Sequence, residues 1–200
     1  MPGEVPPGNP AADIRRSARA MHQLIEELHA SHRIVADKPP IVVSSVNLAE
    51  IIRNTVEEFA AAACSKRITV RTEGPAFLPL ESDASALGKV VSNLLPNAIK
   101  YTPRQTTVTV TWETDATHMR FRVRDQGPGV KPEECDSIFD QYGRGSAQPT
   151  AGESSHGLGL WIVRLLVTDL GGRVWCDVGA GPGAYFQVEL PLRASRGVAQ

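Results

Sequence analysis

The sequence predicts an α+β fold: a two-layer α/β sandwich with a mixed, mostly antiparallel sheet covered by helices on one face, preceded by one heptad-patterned helix. Three observations predict it. Apolar residues recur at helical spacing in stretches beginning near residues 13, 47, 83 and 158; elsewhere the apolar period switches to two; and the two-period segments come in neighbouring pairs.

Taken in order, Met1 to Pro10 is too rich in proline and glycine to propagate a helix, and residues 1–12 read as a disordered lead-in. Over 13–38, Ile14, Ala18, Met21, Ile25, Leu28, His32 and Val35 alternate in steps of four and three, the seam of a coiled coil or bundle. Lys38-Pro39-Pro40 closes it. Asn47 can cap a helix running to about Ala63, with Leu48, Ile51, Ile52, Val56 and Phe59 on its apolar face. Ile68 and Val70 alternate as a strand, a Gly-Pro turn follows, and Asp83 opens a long helix carrying Leu87, Val90, Val91, Leu94, Leu95 and Ile99. Val108, Val110 and Trp112 alternate with threonines, and Met119, Phe121 and Val123 with arginines, which predicts an antiparallel pair with one buried face. Residues 128–155 are poor in apolar groups and predict a long mobile loop. Helix returns at Leu158 to Leu170, and strands follow at Arg173 to Val178 and Ala184 to Leu190. The globular domain therefore spans 46–192, with a flexible tail over 193–200.

Composition narrows the function. Hydrophobic residues at 42% and charged residues at 22% exclude wholesale disorder, and 21 Lys+Arg against 22 Asp+Glu provide no field for a polyanion, so no nucleic acid partner is expected. Cys64, Cys135 and Cys176 are far apart in sequence, odd in number and without a C-x-x-C, which argues for a reducing compartment and against a disulfide framework or zinc site. No apolar run reaches the roughly 18 residues of a membrane span, so no membrane contact by this chain is expected.

Common phosphate-binding loops fail. Gly88-Lys89 has Val90 where a Walker loop needs Ser or Thr, and both Gly127-x-Gly129 and Gly157-x-Gly159 lack the third glycine of a dinucleotide fingerprint, having Pro132 and Ile162 there. Four other islands remain. Asn93, Asn97, Lys100 and Tyr101 share one face of the long helix; Asp125-Gln-Gly127-Pro-Gly129 ends a strand; Ile138-Phe139 through Tyr142 and Arg144 lies in the loop; and His156-Gly157-Leu158-Gly159-Leu160 opens the next helix.

In this order and at these separations the islands resemble the N, G1, F and G2 boxes of the sensor histidine kinase catalytic domain, a member of the GHKL ATPase superfamily with the Bergerat fold. The resemblance spans Val46 to Pro191, and the heptad helix resembles the second helix of the kinase dimerisation hairpin. It implies ATP and Mg2+ as cofactors. Asn97 would ligate the metal, with Asn93 assisting at the same ion or at phosphate. Lys100 would meet phosphate, Tyr101 would pack beside adenine, and Asp125 would accept a hydrogen bond from the adenine amino group. Gly127, Gly129, Gly157 and Gly159 would let the chain close over the nucleotide, with Leu158 and Leu160 opening a helix directed at phosphate. Arg144 would reach the terminal phosphate, Phe139 and Tyr142 would anchor the lid, and residues 128–155 would be that lid.

Position 93 separates the members of the superfamily. Those that hydrolyse ATP or phosphorylate serine carry a Glu four residues before the magnesium Asn as a general base. Asn93 cannot take a proton, so the expected reaction is γ-phosphoryl transfer to an imidazole, with Asn93, Lys100 and Arg144 as the catalytic set. His22, His29 and His32 are followed by Gln23, Ala30 and Arg33 rather than by an acid, so the phosphoacceptor is expected outside this chain and the fragment should not autophosphorylate alone. The resemblance further implies a response regulator as partner, a homodimer through the N-terminal helix, and a cytoplasmic location, free or as the end of a membrane-bound sensor. Pro96 interrupts the pattern: in an ordinary helix interior it costs about 3 kcal/mol and predicts a kink that re-aims Asn97. That lesion motivates the alternative, a degenerate nucleotide-sensing or protein-interaction module of the same fold.

Overall fold

The computed structural model describes Ala18, Met21 and Ile25, all helical, together with residues 40–150, 156–178 and 181–193. The lead-in, the remaining positions of the heptad helix and the tail beyond Arg193 lie outside the described residues. The chain divides at Pro39/Pro40 into two units. In the first, Met21 and Ile25 are 61% and 52% exposed.

The second unit opens with β1 (Ser44–Asn47), α1 (Leu48–Glu58) and α2 (Ala60–Ser65). Asn47 caps α1, its Oδ1 accepting the Ala49 N–H at 3.2 Å, and also accepts the Leu78 N–H at 3.0 Å. That second bond ties α1 to β3 (Pro79–Ser82), which pairs antiparallel with β1 in a two-stranded sheet that the sequence pattern did not predict. The helix predicted to reach Ala63 breaks at Phe59 (φ −93°, ψ 6°). Its buried face is Leu48, Ala49, Ile52 and Thr55, rotated from the predicted one. Thr55 is tolerated inside because its hydroxyl donates to the Ile51 carbonyl at 2.9 Å.

The main sheet has the order β2-β4-β5-β7-β6, built from β2 (Thr69–Glu73), β4 (Thr107–Thr114), β5 (His118–Arg124), β6 (Arg173–Asp177) and β7 (Tyr185–Pro191). Only β2 and β4 run parallel, so the sheet is mixed and mostly antiparallel, as predicted. The alternation works as a zipper: Val110 faces Val123 and Trp112 faces Phe121 across β4 and β5, while Phe121 faces Val188 and Val123 faces Phe186 across β5 and β7. These residues are all buried. Alternate positions carry polar groups, where Glu189 receives Arg120 and Arg173, and the Arg120 hydrogen bond, then Arg173, holds its carboxyl below the usual range.

The covering layer is α3 (Ala84–Tyr101), packed against both α1 and α4 (Gly159–Asp169). Asp83 caps α3 through the Ala86 N–H at 2.9 Å, and its second oxygen accepts the Val42 N–H at 2.8 Å. Leu87, Val90, Val91, Leu94 and Leu95 are completely buried, so one long apolar stripe anchors the helix while leaving its opposite side free for chemistry. Pro96 lies inside α3 without ending it.

Cys135 is half-buried and Cys176 buried, and their thiols donate to the backbone carbonyls of Lys131 and Asp177. Burial, reinforced by Cys135, pushes the Cys176 thiol up to about 12. Both cysteines are free, and a thiol so shifted is a poor nucleophile.

Candidate functional site

The four islands converge where α3, the end of β5 and the start of α4 meet. Asn93 and Asn97 stand on the side of α3 away from the buried stripe, and the Asn93 amide nitrogen donates to the Lys89 carbonyl at 2.7 Å, with its oxygen facing Gly159. Gly159, the first residue of α4, sits against both. A Cβ there would fall 3.0 Å from Asn93 Oδ1 and 3.9 Å from Asn97 Nδ2, a tight approach that would press on the Asn93 amide. Pro96 lies inside α3 without ending it, and both amides lie beside the same glycine.

Leu158 precedes α4, is fully buried and makes no side-chain cap, so the first-turn amides of α4 are not consumed by a capping side chain. Leu160 is half-buried in that turn. Gly157 has φ of 70°, and its carbonyl accepts the Tyr142 N–H at 3.0 Å, which joins the start of α4 to the 3₁₀ turn at Ser137–Phe139.

Asp125 follows β5 and is only 2% exposed. Its Oδ1 accepts two backbone N–H groups, from Gly127 at 2.8 Å and Ala184 at 2.9 Å. Burial raises its carboxyl above the ordinary carboxylate range, and those two bonds pull it partly back. Its Oδ2 accepts no hydrogen bond among the described residues, and it is not a buried unpaired atom. Sequence reasoning missed what holds this residue. Gly183 passes so close that a Cβ would lie 1.9 Å from the Asp125 carbonyl oxygen, and the Asp125 N–H donates to the Ala184 carbonyl at 3.0 Å. The glycines at 181 and 183 just before β7 were the available signal.

Gly127 lies against the Tyr101 carbonyl, and Gly129 has φ of 79°. Lys100 Nζ is 5.8 Å from the Tyr101 ring centroid, so both side chains leave the end of α3 on one side. Phe139 is 3% exposed and meets Phe186 edge-on at 6.2 Å, which puts it in the core as an anchor for its turn. Tyr142 differs from expectation: its side chain is 59% exposed, and it anchors through its backbone alone. Arg144 is exposed and forms no ion pair among the described residues. Of the predicted lid, residues 151–155 lie outside the described residues.

Among the described residues no group of three or more His, Cys, Asp or Glu could hold a metal. Magnesium needs no closed cage of such groups, since it typically takes one or two protein oxygens together with substrate phosphates and water. The amide pair at 93 and 97 fits that pattern.

The chain is similar to known proteins. The profile of the family described as "Histidine kinase-, DNA gyrase B-, and HSP90-like ATPase" matches residues 82–194, and the chain belongs to that family. Among its relatives is the sensor-like histidine kinase SenX3 of Mycobacterium tuberculosis, 28% identical over 183 residues that cover 90% of this chain and 44% of SenX3. The chain thus spans less than half of that relative. In solved structures, mycobacterial sensor histidine kinase MprB superposes with a TM-score of 0.66 at 30% identity, covering 77% of this chain and 100% of the other. Full-length ShkA, solved in complex with AMPPNP, gives 0.76 at 25% identity over 96% of this chain and 41% of ShkA.

Proposed function

We propose that this chain is the ATP-binding catalytic region of a two-component sensor histidine kinase, which passes the γ-phosphoryl of ATP to a histidine outside this chain. The observation that carries the reading is Asp125, a buried carboxylate with one oxygen held by two backbone N–H groups and the other uncommitted. A carboxylate fixed in this way accepts from the amino group of adenine and rejects guanine, which offers an oxygen there. Beside it, Asn97 and Asn93 supply amide oxygens for Mg2+ and phosphate, Gly157 to Leu160 direct backbone N–H groups at phosphate, and Lys100 adds a charge. Asn97 and Asn93 would hold Mg2+, whose charge would offset the negative charge of the phosphates.

Asn93 has no proton-accepting function, so water gains no general base. An imidazole carries its own lone pair and needs little such help, which favours transfer over hydrolysis. Arg144, exposed and without an ion pair among the described residues, is suited to reach the terminal phosphate. A response regulator is the proposed onward acceptor. The exposed Met21 and Ile25, at seam spacing, support a homodimer through the N-terminal helix. Among the described residues no helix is long and apolar enough to cross a membrane; a cytoplasmic site of action belongs to the same proposal. The alternative of a degenerate module rested on Pro96, and α3 runs unbroken through it.

Calorimetric titration with Mg-ATP tests the reading. We expect a dissociation constant between micromolar and millimolar, about −8 to −4 kcal/mol, weakened at least about tenfold by Asn97→Asp and by Asp125→Asn. Unchanged affinity in both variants would remove the site. With γ-labelled ATP, the chain alone should gain no acid-labile label and release phosphate very slowly, whereas a supplied helix bearing a His-acid pair should become labelled.

A further inference from the structure

Lys66, at the C-cap of α2, is 5% exposed, and its ammonium donates to acceptors from two other stretches of the chain. Among the described residues, the Ile99 and Lys100 carbonyls lie at 2.9 Å each and Thr150 Oγ1 at 2.8 Å. The two carbonyls belong to the last turn of α3, where helix geometry leaves carbonyl oxygens without intrahelical donors and concentrates negative charge. Thr150 arrives from the segment after Arg144. Its N–H donates to the Lys100 carbonyl at 3.1 Å, and its hydroxyl proton serves the Lys100 or the Thr102 carbonyl, both at 3.0 Å. The loop bearing Lys66 is itself braced, because its carbonyl accepts the Gln105 N–H at 3.2 Å and Arg104 donates to the Ser65 carbonyl at 3.0 Å.

One side chain thus joins three separate stretches: the turn before β2, the end of the helix bearing Lys100 and Tyr101, and the return of the segment that began at Pro128. The bonds fall on the backbone of Lys100 itself. A surface helix end needs no such partner, since water can serve its carbonyls, and burying an ammonium sacrifices hydration. What the arrangement adds is a fixed relation between the residues assigned to adenine and phosphate and the chain that closes toward α4.

We propose that Lys66 is a positioning residue for nucleotide, which clamps the last turn of α3 and docks the 144–150 segment on it through Thr150, without touching the nucleotide. The proposal rests on the ATP-site reading above. It predicts that removing the ammonium loosens these two stretches and lowers nucleotide affinity while the sheet is unaffected.

The test uses the full 200-residue chain and the variants Lys66→Met, Lys66→Arg and Thr150→Val. Hydrogen exchange is followed without nucleotide, and Mg-ATP affinity is measured by calorimetry. In Lys66→Met we expect at least about tenfold faster exchange confined to peptides covering 99–102 and 144–150, and about tenfold weaker Mg-ATP binding. Lys66→Arg, which keeps a charged donor on a long stem, should recover most of that affinity. Thr150→Val leaves Lys66 in place and should loosen 144–150 alone, with about threefold weaker binding. A general acceleration of exchange with Mg-ATP affinity unchanged would overturn the proposal, since that is the signature of a purely structural lysine. If Lys66→Met does not fold, a Thr150→Val variant with wild-type exchange and affinity overturns it equally. Absence of Mg-ATP binding in the unmutated chain would fell the site reading first, before any variant is compared, and the proposal with it.

Discussion

On the proposed reading, Asp125 sets function against stability within one side chain. Its carboxyl is raised above its ordinary value, so the folded state holds the proton more tightly than the unfolded chain does. A group shifted in that direction favours folding below its unfolded pKa and loses that contribution as pH rises through its folded value. At neutral pH the ionised Asp125 is therefore a burden on the fold. Asp125→Asn keeps an oxygen for the Gly127 and Ala184 N–H groups and removes the charge, so its melting temperature at pH 7 should equal or exceed that of the unmutated chain. Its advantage should shrink toward pH 4, while Mg-ATP affinity falls; melting curves between pH 4 and 8 beside calorimetry check the sign. An Asn variant less stable at every pH would contradict the account. The acid and its glycines were legible in sequence because they are contiguous. Their support was not: Ala184 lies 59 residues away, and only strand pairing brings it near.

Among the elements, α3 was the most legible, since a capping Asp83 and a regular apolar stripe each specify it locally. β1 and β3 were not, because strands of four residues carry too short a pattern to separate from loop, and each is defined by its partner. The break at Phe59 escaped for a related reason: the run of alanines after it is compatible with helix on either side. Pro96 is where local and tertiary terms conflict. Its ring deprives the Ser92 carbonyl of a helix bond, yet Leu94, Leu95, Ala98 and Ile99 are buried on either side of it and hold α3 together. Pro96→Ala should consequently raise stability by about 1–3 kcal/mol in denaturant unfolding, with the denaturant slope unchanged. Because Asn93 and Asn97 already meet Gly159 with the proline present, Mg-ATP affinity should stay within about twofold. A large gain in affinity would mean that the proline does disturb the amides.

At the scale of the whole molecule, the division at Pro39/Pro40 separates a unit with exposed seam positions from one that contains the buried core. A chain beginning at residue 40 should melt at the temperature of the full chain and bind Mg-ATP equally well, and sedimentation should find concentration-dependent self-association only when residues 1–39 are present. A drop of several degrees on truncation would show that the two units share stability. The strand order has a temporal implication as well. β4 and β5 are joined by a short turn and can pair as soon as both exist, but β5 is completed on its other side by β7, the last of the described elements. Until Ala184 has been synthesised and seated, Asp125 lacks one of its two backbone donors and nothing closes over it. On the proposed reading, a ribosome-bound or prematurely terminated chain has the helix and both asparagines but no finished adenine pocket, so nucleotide binding would require β7 to have been made and seated.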